Sequence, residues 1–348
     1  MNIYSPYVAL KLEEITQVNV AELKADELTK STLVLIQQWR AGKESFIFYT
    51  SGSTGKPKKV ATSREKIVTS ANATFQALRN SHLFTTTFLC LNPSFIGGAM
   101  VVFRALIKNL DLYVGSLSSS PLKDPYFNGK KFDLVSMVPL QITHLKSEDF
   151  RRFHTILVGG AVLEKQKFNG DSTIYSTYGM TETVSHIALR KIDEEFYHLT
   201  GDWKIAVNNN GNLKVKGSIS DHKWIQTHDQ VLLKSERSFK WLGRSDFVIN
   251  SGGIKIQPEI VEQRLRPFIQ GIFLISWIKN EKLGQQVVLI SEQFIEESAL
   301  ASLTGFQRPK QIFNNQKIFF TESGKVDRIK TQKRLQKSID EKTVRGSA

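Results

Sequence analysis

A short apolar run at residues 46–49, Phe-Ile-Phe-Tyr, empties into Thr50-Ser51-Gly52-Ser53-Thr54-Gly55 and then Lys56-Pro57-Lys58-Lys59. Aromatic and β-branched residues favour an extended strand. Glycines then let the backbone turn tightly with its N–H groups facing inward, and such a nest holds anionic oxygens. Ser51, Ser53 and Thr54 add hydroxyl donors, while Lys56, Lys58 and Lys59 add positive charge. The stretch reads as a strand followed by a loop that wraps a polyphosphate. It is not a Walker A loop, which needs four residues between its glycines and a hydroxyl residue after the lysine. Here only Ser53 and Thr54 separate Gly52 from Gly55, and Pro57 follows Lys56. On its own the same composition also suits a surface turn between a strand and a helix.

The rest of the chain repeats the strand–loop–helix alternation. Leu23, Leu28, Leu33, Ile36 and Trp39 recur at roughly helical spacing and predict a helix over 11–40. Another helix is expected over 64–78 with Ser63 as its N-cap, and a further one from Phe95 to about 108. Strands are expected at 85–91, 111–114, 134–138 and 155–158, the last running into Gly159-Gly160-Ala161. Short apolar strands separated by helices indicate a mostly parallel, covered sheet, with ligands at the carboxyl ends of its strands. From about 196 to 245 the texture changes to short strands at 204–207, 213–216, 231–234 and 239–242, a small antiparallel segment. The fold class is therefore α/β: a large domain over 1–245, with mostly parallel covered sheets and a small antiparallel segment, and a small mobile α+β domain over 246–348. Lys330, Lys333, Arg334 and Lys337 in the tail share a helix face and read as a solvated surface.

A net charge of +14 suits anionic partners. With no zinc spacing, RNA-binding signature or dense basic block, small phosphorylated ligands are favoured over nucleic acid. Cys90 is the single cysteine and sits in an apolar run, so it is expected to be an inert buried thiol in a reducing compartment. No signal peptide and no membrane-length apolar run are evident, and the protein is expected in the cytoplasm without stable membrane insertion.

Four more motifs stand in order behind the glycine loop: Tyr178-Gly179-Met180-Thr181-Glu182, Thr227-His228-Asp229, Gly243-Arg244-Ser245-Asp246 and Ser323-Gly324-Lys325. Together with 49–60 this set resembles the adenylate-forming superfamily of acyl-CoA synthetases, peptide-synthetase adenylation domains and luciferases. Each motif alone is common; five in one order, over about 46–328, are specific for the superfamily. The resemblance implies ATP, Mg²⁺ and coenzyme A as ligands and a two-step reaction, in which a carboxylate attacks the α-phosphorus of ATP and a thiol then displaces AMP.

By resemblance, Ser51, Gly52, Ser53, Thr54, Gly55 and Lys56 would hold the β- and γ-phosphates. Thr181 would bond the α-phosphate and Glu182 would bind Mg²⁺, a hard cation that favours carboxylate. Tyr178 and Gly179, with Gly159, Gly160 and Ala161, would line the adenine, and Asp229, assisted by Arg244, would bond the ribose. Lys325 would be the mobile lysine that bridges the incoming carboxylate and the α-phosphate. Asp246 would be the hinge about which the small domain rotates, and Gly252 and Gly253 would border the pantetheine path. Blander alternatives remain at this stage: a helix start at Glu182, a turn residue at Asp229 and a surface ion pair at Arg244.

Two departures from the family stand out. Only about fifty residues precede the glycine loop, so a sizeable front part of the large domain is expected to be missing. Phe95 also occupies the place where many acyl-CoA synthetases carry histidine. Within the superfamily, the strings at 176–183 and 250–262 look most like o-succinylbenzoate–CoA ligases of menaquinone biosynthesis. That acid keeps a second carboxylate, for which Arg104, Ser185 and His186 are candidate partners and Phe95 a candidate pocket residue. Arg104 could instead pair with a carboxylate on a helix surface. The alternatives are ligation of another aryl or short-chain acid, or a nucleotide-binding module without turnover. Oligomeric state is not legible.

Overall fold

In the computed structural model, which describes residues 1–50, 58–78, 82–160, 163, 171–321 and 325–346, the larger unit is organised on a parallel spine. Strands Thr173–Met180, Phe153–Val158, Phe132–Met137, Thr86–Leu89, Asp111–Val114 and Asn2–Tyr4 lie side by side in that order, all parallel. A sheet covered on both faces must be apolar nearly throughout, and in Phe153–Val158 every residue except His154 is buried. Helix Ile96–Lys108 lies on the central strands. Its Phe103 meets Trp39 and Phe46 at ring distances of 4.9 and 5.0 Å, joining the helix to Glu27–Arg40 and to the strand Ser45–Tyr49. Cys90 is buried here, its thiol pushed up to about 12 by desolvation, as suits an inert residue.

Helix starts follow their caps. Asp26 accepts from Thr29 N at 2.8 Å and Ser63 accepts from Lys66 N at 3.3 Å, opening Glu27–Arg40 and Arg64–Ala77. The helix expected over 11–40 is therefore shorter than its apolar spacing suggests. Between Lys11, which ends a short strand, and Asp26 there is only the 3-10 turn Glu14–Gln17. Gln37 accounts for the difference: its amide donates to Ile15 O and Val18 O, both at 2.9 Å, which lays the upstream segment across the helix.

Beyond Thr173–Met180 the same sheet continues with Ser185–Lys191, Tyr197–Leu199, Ser238–Arg244, Ile225–Ser235, Asn212–Lys216 and Lys204–Val207, all antiparallel. The parallel and antiparallel parts are thus one unbroken sheet. The strand expected at 231–234 begins well upstream, at Ile225.

The chain leaves this sheet through the 3-10 turn Ser245–Phe247 and builds a second one from Ile249–Ser251, Ile254–Ile256, Phe273–Asn280, Gly284–Ser291 and Gln311–Phe313. Helices Pro258–Leu265 and Arg328–Gly346 pack on it. Leu335 of the last helix is buried, while Lys330, Lys333, Arg334 and Lys337 are exposed, the solvated face expected of them. Among the described residues no helix is long and apolar enough to cross a membrane.

Candidate active site

The carboxyl ends of the parallel strands and the turn before the last helix converge on one place. Gly159 and Gly160 follow the strand Phe153–Val158, with Gly159 N donating to Met137 O at 3.0 Å. A Cβ built on Gly160 would lie 3.5 Å from Lys325 Cε, so a lysine from the small unit reaches the end of a strand in the large one. Its own turn is fixed by Thr321: Thr321 N donates to Lys325 O at 2.8 Å, and Lys325 N donates to Thr321 Oγ1 at 3.1 Å. Burial and the Arg244 guanidinium hold the Lys325 ammonium below the ordinary lysine range, against the pull of Asp229 and Glu182. Four residues from four separate motifs therefore share one electrostatic neighbourhood.

Asp229 is the anchor of that neighbourhood. It is buried in the middle of Ile225–Ser235, cross-strand from Arg244, and is not the turn residue that its type allows. Tyr178 Oη donates to its Oδ2 at 2.7 Å, Trp241 Nε1 donates to its Oδ1 at 3.0 Å, and Arg244 Nη1 lies 3.9 Å from Oδ1. Burial first, and then the Asp229 charge, push the Tyr178 hydroxyl well above its ordinary value, so it stays a donor. The Tyr178 ring packs edge-on against Phe239 at 5.1 Å. Trp241 was missed in the sequence; its signal was a tryptophan three residues before Arg244 on a strand facing the aspartate.

Arg244 is shared. Its Nε and Nη2 grip Asp246 at 2.9 and 2.7 Å in a two-pronged bond, while the same side chain faces Asp229. Thr181 is buried and Glu182 exposed in the single turn Thr181–Thr183, so no long helix begins there. Among the described residues no three His, Cys, Asp or Glu side chains form a metal cage. Glu182 offers an exposed carboxylate, and Mg²⁺ keeps waters and is held by one or two carboxylates plus substrate phosphates.

A second cluster forms at the strand beside Tyr178, where His186 pairs with Gly179. Arg104, on helix Ile96–Lys108, is buried; its Nη2 donates to Ser185 Oγ at 3.4 Å and to His186 Nδ1 at 3.5 Å, and its Nε has no partner. It is not a surface ion pair. Desolvation pushes the guanidinium down to about 10, and no carboxylate among the described residues bonds it. Burial and Arg104 hold the His186 imidazole well below the usual histidine range, leaving it neutral. Thr74 Oγ1 donates to Ser70 O at 3.0 Å, so it accepts from His186 Nε2 at 3.0 Å. His186 is therefore the Nε2–H tautomer, with its Nδ1 lone pair toward Arg104. Backbone strain presents the pair: Val184 and Ser185 have φ of 53° and 85°, rare for side-chain residues and costly for a β-branched one. Gly179 permits this, since a Cβ there would meet Ser185 O at 2.1 Å.

The remaining candidates are more scattered. Phe95 is half-buried at the N-terminal end of the Arg104 helix, roughly 13 Å along the axis from Arg104. Gly252 and Gly253 form the turn between Ile249–Ser251 and Ile254–Ile256, where Gly252 packs under Leu283 and Phe306. The glycine loop Ser51, Gly52, Ser53, Thr54, Gly55 and Lys56 lies outside the described residues, as do Ala161, Ser323 and Gly324. The strands that carry the loop, Ser45–Tyr49 and Lys59–Ser63, are paired up to Thr50 N, which donates to Lys58 O at 2.9 Å.

The family described as AMP-binding enzyme matches residues 8–204, more than half the chain. The chain belongs to the AMP-binding enzyme family. Among the relatives of this AMP-binding enzyme is the 2-succinylbenzoate–CoA ligase of Listeria monocytogenes serotype 4b (strain F2365). It is 28% identical over 344 residues, covering 86% of this chain and 72% of that protein. Two solved structures share the fold. The acyl-CoA synthetase (AMP-forming)/AMP-acid ligase II-like protein from Dyadobacter fermentans DSM 18053 has a TM-score of 0.57 at 29% identity, covering 89% of this chain and 95% of that one. The O-succinylbenzoate coenzyme A synthetase from Bacillus subtilis, in complex with ATP and magnesium ion, has a TM-score of 0.68 at 20% identity, covering 81% and 68%.

Proposed function

We propose that this AMP-binding enzyme is an ATP-dependent acid–thiol ligase that adenylates o-succinylbenzoate and passes the acyl group to coenzyme A, releasing AMP and pyrophosphate. The observation that carries the substrate is Arg104, a buried cation with no carboxylate partner among the described residues, beside Ser185 Oγ and a neutral imidazole. A buried charge is stable only when paired. An acid with two carboxylates can present one to the reaction and leave the other to Arg104. The name of the Listeria relative points to the same acid.

In the first step a carboxylate oxygen bonds the α-phosphorus and the bond to pyrophosphate breaks. Negative charge builds on the oxygens in between, and Lys325, poised over Gly160, would sit against it. The loop from Ser51 to Lys56 would hold the β- and γ-phosphates and Thr181 the α-phosphate. Mg²⁺, when bound at Glu182, would neutralise phosphate charge. Gly159, Gly160, Ala161, Gly179 and Tyr178 would border the nucleoside. Asp229 would accept from the ribose hydroxyls: Tyr178 and Trp241 use one lone pair on each oxygen and leave the others open.

In the second step the thiol sulfur bonds the acyl carbon and the bond to AMP breaks. We assign the division at 1–245 and 246–348, with Asp246 as the hinge that withdraws Lys325 and brings Gly252 and Gly253 toward the pantetheine path. Proline at 246 would forbid much of the backbone change. Asp246→Pro is expected to leave pyrophosphate release within about threefold of wild type while stalling thioester formation; unimpaired overall turnover would rule out a hinge at 246. A chain whose lone cysteine is buried suits the cytoplasm.

The reading is tested by pyrophosphate release with ATP and Mg²⁺ over a panel of carboxylic acids, with and without coenzyme A. Release with o-succinylbenzoate, and its thioester once coenzyme A is added, is the expected result. Release with a different acid only would keep the reaction and discard the substrate. ATP binding without release for any acid would make the chain a nucleotide-binding module.

A further inference from the structure

If the small unit moves, something must hold it in the arrangement with the lysine inserted and yet let it go. Two amide side chains, one from each unit, hold the chain where it leaves the large sheet, at Arg244 and Ser245. From the large unit, Asn212 Nδ2 donates to Ser245 Oγ at 3.3 Å, and that hydroxyl donates to His228 O at 3.1 Å. From the small unit, Gln257 Nε2 donates to Arg244 O at 3.0 Å and to Glu259 Oε2 at 2.8 Å. Both partners of the Gln257 nitrogen are acceptors, which fixes the amide orientation and turns Oε1 away. Among the described residues, Gln257 Oε1 and Asn212 Oδ1 are both buried without a partner. An orphaned buried acceptor costs free energy for as long as it stays out of water.

The fit at Gln257 is close. Gly243 has φ of 140°, and a Cβ there would lie 2.1 Å from Gln257 Nε2, so the glycine before Arg244 is what admits the amide. Gln257 is also linked to the lysine through its own unit. It precedes helix Pro258–Leu265, whose Glu262 takes a bond from Arg328 Nη1 at 2.8 Å, and Arg328 is three residues beyond Lys325.

We propose that Gln257 is a positioning residue for the first half-reaction. Its Nε2 ties the small unit to the Arg244 carbonyl with Lys325 inserted, and its unpartnered Oε1 keeps the tie weak enough to release. The proposal rests on the two-step reading given above, and it adds a residue that none of the five motifs contains. Rotation about Asp246 would break the bond to Arg244 O and free the amide for water.

Two variants test it, Gln257→Met, which keeps the length and removes the amide, and Gln257→Glu, which cannot donate to Arg244 O. Each is expected to slow acid-dependent pyrophosphate release about five- to tenfold, the loss of one hydrogen bond. Thioester formation from a pre-made acyl-adenylate should be unchanged or faster. Independently of catalysis, the rate at which Lys325 is modified by an amine-reactive reagent, followed by mass spectrometry, should rise severalfold in both variants. Equal loss in the two half-reactions, or Lys325 reactivity equal to wild type, would overturn the latch. If the wild-type protein releases no pyrophosphate with any acid, the functional reading fails, and the Lys325 labelling still decides whether Gln257 holds the lysine in place.

Discussion

Lys325→Ala is expected to lower acid-dependent pyrophosphate release by about two to three orders of magnitude, the usual loss when one donor to a developing oxyanion is removed. Thioester formation from a pre-made acyl-adenylate should continue near the wild-type rate. The asymmetry follows from geometry. Lys325 reaches Gly160 only because the small unit is docked, and it is there desolvated and set among Asp229, Glu182 and Arg244. An ammonium in such surroundings is worth more to a charged transition state than one in water. The two half-reactions are measured separately, by pyrophosphate release and by thioester formation. A comparable fall in both would mean that Lys325 supports the fold or nucleotide binding and not the first step.

Arg104→Met should be as damaging for a different reason. Truncating one partner of a buried charge pair typically costs about 2–5 kcal/mol, so kcat/KM for o-succinylbenzoate should fall by roughly 30- to 5,000-fold. An aromatic acid that lacks the second carboxylate should be used equally by both proteins, because it has nothing to offer Arg104. The substitution should not unfold the chain. Among the described residues no carboxylate is left stranded when the guanidinium goes, and its Nε already has no partner there. Burial disfavours its charge in the free protein, so the melting temperature of the variant should equal or exceed that of wild type. Loss of both acids in parallel would show that Arg104 holds the helix Ile96–Lys108 and not the substrate.

Much of this site is readable along the chain because its parts lie at strand ends that composition marks. The residues before Gly159, the Ser63 cap and the turn at Arg244 all announce themselves locally. What escapes is set by pairing between distant segments. Asp229 has the side chain of a turn residue, and it sits mid-strand because Tyr178, 51 residues earlier, and Trp241 satisfy it. The helix expected across 11–40 is cut short by Gln37 bonding two carbonyls far behind it. Arg104, Ser185 and His186 could be named as candidates from their neighbouring motifs. That they touch depends on a strained backbone at Val184 and Ser185, which no spacing reveals. Gln257 lies within the string 250–262, yet nothing there singles it out, since its role depends on a glycine fourteen positions away.

The unbroken sheet has one further consequence. Tyr178, Asp229 and Arg244 stand on strands laced into a single framework with the strand that ends at Gly159. In the proposed roles, Tyr178, Asp229 and Arg244 would thus belong to a wall that does not have to reshape during turnover, while Lys325, which would arrive and depart, is carried on the unit built around the second sheet. Tightness of nucleotide capture and timing of the chemistry would then reside in different mechanical parts. A change in one can be made, by mutation or by descent, without retuning the other.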